Sequence, residues 1–161
     1  MAQVDYFLKV DGIPGESPDD KHKNEIDIES WSWGETNSGS QAYGGGGGSG
    51  KVAMNDFSFA MRVNKASPKL FLACANGEPI KEALLTCRKA GKDAQEYLKI
   101  KLFNFHVSSF QTGGSSGDVV PLDQVSFTFE KIEISYAPQK SDGTLDSPIV
   151  HNYDLKLNKG G

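Results

Sequence analysis

The sequence has few of the residues that most often carry chemistry. In 161 residues it holds two cysteines, three histidines and two tryptophans. Cys74 and Cys87 are too few for a disulfide framework and read as two buried thiols of a reducing cytoplasm. His22, His106 and His151 each stand alone, with no second His or Cys at metal-ligand spacing. His106 follows Phe105 in an apolar strand, where a structural role is expected. The 21 carboxylates include no pair set apart as an acid and a base. The residues therefore indicate no enzyme, no metal and no cofactor.

Long hydrophobic runs are also missing. None approaches the ~20 residues of a membrane span, so membrane insertion is not expected. The start, Met1 to Val10, has neither the basic nor the apolar region of a signal peptide. Any export would use a route that reads no cleaved N-terminal signal. Positive charge is in deficit: 17 Lys and Arg face 21 Asp and Glu, for a net charge of −4. No Lys/Arg cluster marks a phosphate-binding face, which argues against a nucleic-acid partner.

Glycine is abundant: 18 residues, with 7 prolines, point to many turns and a β-rich fold. The length suits a single domain over residues 1–161. Val4, Tyr6, Leu8 and Val10 alternate as an opening strand. The stretch from Asp11 to Pro18 is dense in turn formers, and Asp19 to Glu25 reads as a solvated loop. Phe57, Phe59, Met61 and Val63 form another alternating strand, as do Ala83, Leu85 and Cys87, and later Tyr153, Leu155 and Leu157.

Three strands change apolar parity. Ile26 and Ile28 give way to Trp31 and Trp33. Leu98, Ile100 and Leu102 give way to Phe103, Phe105 and Val107. Val125, Phe127 and Phe129 give way to Ile132, Ile134 and Tyr136. A parity change means a bulge, a bend or burial of both faces. Together they predict a strongly curved or closed β-barrel of about eight or more strands. One short helix is expected over Pro68 to Ala75, with Ser67 as N-cap and Asn76-Gly77 as its stop. Its buried side would carry Leu70, Phe71 and Cys74.

The organising stretch is Ser30-Trp31-Ser32-Trp33-Gly34. Trp31 and Trp33 share one side of a strand, and Ser30 and Ser32 share the other. The tryptophans suit burial in a core, or a platform for stacking a small ligand or carbohydrate. Ten residues on comes the run Ala42, Tyr43, Gly44, Gly45, Gly46, Gly47, Gly48, Ser49, Gly50 and Lys51. Gly45, Gly50 and Lys51 nearly match a phosphate loop. Val52 stands where Ser or Thr should hold magnesium, and a strand pattern follows where a helix is required. The run is read instead as part of a flexible arm, about 36–52, that orders against another copy of the chain.

A family resemblance rests on several stretches in colinear order. They are Gly12 to Ser17, Ile26-Asp27, Ser30 to Gly34, the glycine run to Lys51 and Asp56 to Phe59. Further on are Ser67-Pro68, Ala73 to Gly77, Arg88 to Gly91, Ser108 to Gly114 and Tyr136 to Lys140. From Tyr6 to about Gly143 the chain resembles Hcp, the haemolysin-coregulated protein of the bacterial type VI secretion tube; the tail 144–161 matches weakly. The resemblance implies a barrel with one flanking helix, and homohexameric rings stacked into a tube. It implies the sheath, the tip spike protein and effector proteins as partners. It places the protein in the bacterial cytoplasm before firing and outside the cell, or in a target cell, afterwards. It further implies that Ser32 faces a lumen that holds cargo, with Ser30 beside it. The alternative reading is a small-ligand or carbohydrate-binding β-barrel built on Trp31 and Trp33.

Overall fold

The computed structural model describes residues 4–38, 51–89 and 94–161. Its centre is a pair of long antiparallel strands, β8 (Glu96–Gly113) and β9 (Leu122–Tyr136), matched from Leu98–Tyr136 to Gly113–Leu122. On the free side of β8 lie β7 (Ile80–Lys89), then β1 (Val4–Val10), then β2 (Ile26–Asp27). The free edge of β9 is shared. Residues 122–127 pair with β6 (Phe57–Arg62), which pairs with β3 (Ser30–Ser32). Residues 131–136 pair with β10 (Ile149–Asp154), which carries β11 (Lys159–Gly160). The strands β4 (Glu35–Asn37) and β5 (Val52–Met54) make a separate two-stranded ladder. Both ends of the expected arm are therefore paired strand: Thr36 and Asn37 in β4, Val52 in β5.

The parity changes are bends. In β8 the buried residues run Ile100, Leu102, then Phe105 and Val107; in β9 they run Val125, Phe127, Phe129, then Ile132. The two switches meet at one rung, between Asn104 and Glu130. Asn104 has φ 50°, the left-handed region that Asn tolerates better than most side chains. Its Nδ2 donates to Glu130 Oε2 at 3.0 Å. Phe103, expected on the buried side, lies before this bend and stays half-exposed. A second irregularity, between Val107 and Ser109, adds one residue to β8.

The third switch has a different cause. The chain leaves β1 after β2 and joins β6 as β3, so Ile26 and Trp31 belong to different ladders. Among the described residues no ladder joins β2 to β3. The ladders thus stop short of the closed barrel expected from the sequence.

One face of this curved sheet is covered by aromatic rings. Phe105 and Phe127 lie 4.5 Å apart, Phe59 and Phe127 5.2 Å, and Phe57 and Trp31 6.1 Å between centroids. Phe57, Phe105 and Phe127 are among the largest fully buried side chains. Burial of each is worth roughly 1.5–3 kcal/mol by apolar area.

The helix α1 (Ser67–Asn76) docks on β8. Its cap is Ala66, one residue before the expected Ser67. Ser67 lies inside the helix because its hydroxyl is used elsewhere: it accepts from the Asn64 N–H at 3.0 Å and donates to buried Asp123 at 2.6 Å. The helix stops at Gly77, φ 63°, whose N–H bonds to Ala73 O. Leu70 and Ala73 are buried, whereas Phe71 is 54% exposed and Cys74 only half-buried. Helical spacing alone had put Phe71 and Cys74 inside. The last strand also differs from expectation. The strand expected over His151 to Leu157 is Ile149–Asp154; the chain then turns, leaving Leu157 exposed, before the short β11.

Candidate functional site

The candidate site is the exposed side of β3, β6, β9 and β8. Alternation places it directly behind the core. Trp31, Phe59, Val125 and Phe110 form one cross-strand row on the inner side. The outer side carries two rows. Ser30, Ala60, Gln124 and Gln111 stand opposite one another across the four strands, and so do Ser32, Ser58, Ser126 and Ser109. Together they floor a shallow concavity of about 310 Å³. Ser58 and Ser126 share a hydroxyl hydrogen bond of 2.9 Å.

Neither row contains a charged residue. Charge begins at the borders. At one end Arg62 pairs with Glu29 at 3.0 Å. At the other, Asp56 accepts from Ser108 at 2.7 Å and Thr128 at 2.9 Å. The face is thus small, flat and uncharged, with hydroxyls and amides that both donate and accept. It can bind polar groups weakly, without a preference for either sign of charge. Ser30 and Ser32 are both exposed on it. Their six companions were missed in the sequence, although Ser58 between Phe57 and Phe59, and Ser126 between Val125 and Phe127, carry the same alternation.

The tryptophans do not make a ligand platform. Trp31 stacks near Phe57 and meets Tyr6 edge-on at 6.2 Å. Trp33 lies 6.3 Å from Phe129 and lines a different cavity, with Met54, Ile132 and Ile134. The two indoles face different neighbours, so they do not form the shared stacking platform that the ligand-binding alternative requires. Of the expected arm contact, Ala42 to Gly50 lie outside the described residues; Lys51 is exposed and leads straight into β5. Among the described residues no group of His, Cys, Asp and Glu could hold a metal ion, and no helix is long and apolar enough to cross a membrane. Burial pushes the Cys87 thiol up to about 11 against a hydrogen bond from Trp31, which leaves it unreactive.

A second cluster was not foreseen. The segment Asp19 to Glu25 is anchored to the sheet. Gly15 and Ser17 exchange backbone hydrogen bonds with Asn24 and Glu25. A Cβ at Gly15 would sit 2.5 Å from Glu25 O, so only glycine allows this approach. Arg88 on β7 donates to both carboxylate oxygens of Asp19, at 3.0 and 2.6 Å, and to Asp5 at 3.1 Å. The Arg88 hydrogen bond, opposed by burial, holds the Asp19 carboxyl down at about 2. His22 is 7% exposed and stacks on Phe7 at 4.3 Å. The partners lie up to 83 residues apart in sequence, which is why a local reading saw only a solvated loop.

The comparisons agree with this architecture. The family described as type VI secretion system effector, Hcp, matches residues 7–136. Protein hcp1 of Pseudomonas aeruginosa is 46% identical over 157 residues, covering 96% of this chain and 97% of its own. The crystal structure of Hcp1 from Salmonella typhimurium superposes with a TM-score of 0.80 at 35% identity, covering 99% of this chain and 100% of that one. A structure described as a type six secretion system protein reaches 0.90 at 28% identity, covering 98% and 99%. By sequence and by fold, the chain belongs to the Hcp family of type VI secretion tube proteins.

Proposed function

We propose that six copies of this chain close into a ring, that rings stack into a tube expelled by a contracting sheath, and that the serine–glutamine face lines the lumen. The observation that carries this reading is the uncharged double row across β3, β6, β9 and β8. A face meant for bulk solvent usually mixes charges of both signs. A face meant for one tight partner usually carries large anchors. This one has neither, which suits a wet, adaptable contact with varied cargo. Effector proteins, the sheath and a tip spike protein would be its partners, and the protein would leave the cell with the expelled tube. It would act as carrier and scaffold, with no catalytic step.

Ring closure needs two different patches that fit each other head to tail. Exposed apolar side chains supply candidates on separate elements: Phe71 and Leu72 on α1, Ile149 and Val150 on β10. The arm around Ala42 to Lys51 would add a contact to a neighbouring subunit or ring. Residues 1–161 would work as one unit whose sheet closes through the Ile28–Glu29 step. The Ile28 N–H bonds to Tyr6 O at 3.1 Å and the Glu29 N–H to Ala60 O at 2.9 Å, so two successive peptides reach β1 and β6.

Light scattering on a sizing column, with negative-stain images of the peak, tests the assembly. A species of six 17.4 kDa chains, seen as rings with an open centre, is expected; a monomer at high concentration refutes it. For the lumen, Ser32→Gln should weaken retention of a cargo protein while rings persist. Unchanged retention would remove the face from the reading. Tubes that form normally after deletion of four arm glycines would remove the arm.

A further inference from the structure

His22 sits between two carboxylates. Its Nδ1 is 3.0 Å from both Glu25 oxygens, and its Nε2 is 2.6 Å from Glu96 Oε1. A neutral imidazole has one donor and one acceptor nitrogen; only the imidazolium donates from both. Ionised carboxylates accept and cannot donate. The two contacts are therefore satisfied together only when His22 carries two ring protons and a positive charge.

Charged groups from several elements surround the ring. Glu25 closes the turn that holds His22. Asp19, at the start of the same segment, accepts the His22 backbone N–H through its Oδ1 at 3.2 Å. From β8 come Glu96 and Lys99, which pair at 3.4 Å. From β7 comes Arg88 and from β1 Asp5; Asp27 of β2 borders the group, its carboxyl raised by burial. Among the described residues, five carboxylates thus gather here with Lys99 and Arg88, and Lys21 lines the same concavity as Glu96 and Lys99. Burial opposes ionisation of Glu96, yet the His22 hydrogen bond and charge, with Lys99, hold its carboxyl below the usual range. The ring itself is fixed against Phe7 with an interplanar angle of 8°, and Arg88 lies 4.7 Å from the same Phe7 ring.

We propose that His22 is a proton-dependent latch, which as an imidazolium ties the Asp19–Glu25 segment to β8 through Glu96 and releases it on losing a proton. His22 and Glu96 are 74 residues apart, and this contact holds the segment at the Asp5–Arg88 end of the β1–β7 ladder. Without the second proton one carboxylate faces a lone pair across 2.6–3.0 Å, so the contact turns from attractive to repulsive. The direction follows: the stabilisation is present where His22 is doubly protonated and is lost as pH rises. Histidine is the side chain suited to make that change near neutral pH. The latch rests on this chain's own contacts and stands whether or not the chain forms rings.

The test uses the full chain labelled with 15N-histidine, alongside Glu96→Gln and His22→Gln. In the folded parent at about pH 7, both His22 ring nitrogens should show the protonated 15N signature. Between about pH 6 and pH 9, the parent should lose about 2–4 °C of melting temperature, along with amide-exchange protection over residues 19–25. Glu96→Gln lets a neutral ring accept from the new amide, so its melting temperature should be flat over that range. His22→Gln should be flat too. A neutral His22 tautomer in the folded parent at about pH 7, or a parent-like loss in folded Glu96→Gln, overturns the latch.

Discussion

The two ends of β8 and β9 share one core and present different chemistry to solvent. On the Gly113–Leu122 side of the Asn104–Glu130 rung, the outer face starts at His106, exposed and not structural as expected, and Thr128, and continues to Ser58, Ser109, Gln111, Gln124 and Ser126. On the other side it is Lys99, Lys101, Phe103, Lys131 and Glu133, flanked by Glu82. There Lys101 pairs with Glu82 at 3.3 Å, and Lys101 and Lys131 both lie over Phe103. Inside, the two ends are alike: Phe105 and Phe127 on one, Ile100, Leu102 and Ile132 on the other, all buried. Stability therefore does not explain the outer difference, since either surface would cover such a core. The lumen contact proposed for the serine–glutamine face would account for it. A mixed-charge surface suits water and defined electrostatic neighbours; an uncharged hydroxyl surface suits contact without selection by charge.

The comparison can be broken at its shared part. Phe127→Ala removes a ring that touches Phe57, Phe59 and Phe105. It should cost about 3–5 kcal/mol and destabilise both ends together in chemical denaturation. The rung is the next largest. Asn104→Ala keeps φ at 50° without a side chain suited to it and loses the Glu130 bond. A cost of about 1–2 kcal/mol is expected, with Asn104→Gly closer to the parent.

Acid should separate the ends. Asp19 is held at about 2 in the fold, below its unfolded value of about 3.9. Its contribution is present above the unfolded value and is lost as pH falls through about 2. Asp19→Asn should flatten the melting temperature between about pH 4 and pH 2, while Ser58→Ala keeps the parent slope. The smallest effect belongs to the hydroxyl face itself. Ser58→Ala should cost about 0.5–1.5 kcal/mol, and adding Ser126→Ala should cost less than twice that, because both remove the same bond.

Much of this fold could be read from alternation. The parity changes in 98–107 and 125–136 marked the bend, although Phe103 was placed one step too far. Gly77 stopped the helix where expected. Ser30 and Ser32 were placed on the face opposite the tryptophans by period alone. What alternation could not reach were features made by distant residues. Phe71 fell on the apolar side of a helix too short to bury all of it. Ser67 was drawn from the cap by Asp123, 56 residues away. The anchoring of His22 depends on Arg88 and Glu96, which no spacing near residue 22 reveals. Closure of the sheet is likewise a matter of how β2 hands over to β3, and two short strands carry too few residues to signal a change of partner.

The serine–glutamine rows have a mechanical consequence. Hydroxyl hydrogens rotate freely, and each oxygen can give or take a bond. Along the strands the pattern repeats every two residues, about 7 Å. A polar chain shifted by one repeat exchanges the four hydroxyls of one row for the serine and two amides of the other. Within the two rows no charge interrupts such a shift; beyond them stand Arg62 and Glu29 at one end and Asp56 at the other. Lining a lumen, as proposed, such a surface would keep contact with cargo through exchangeable hydrogen bonds and not through fixed charges.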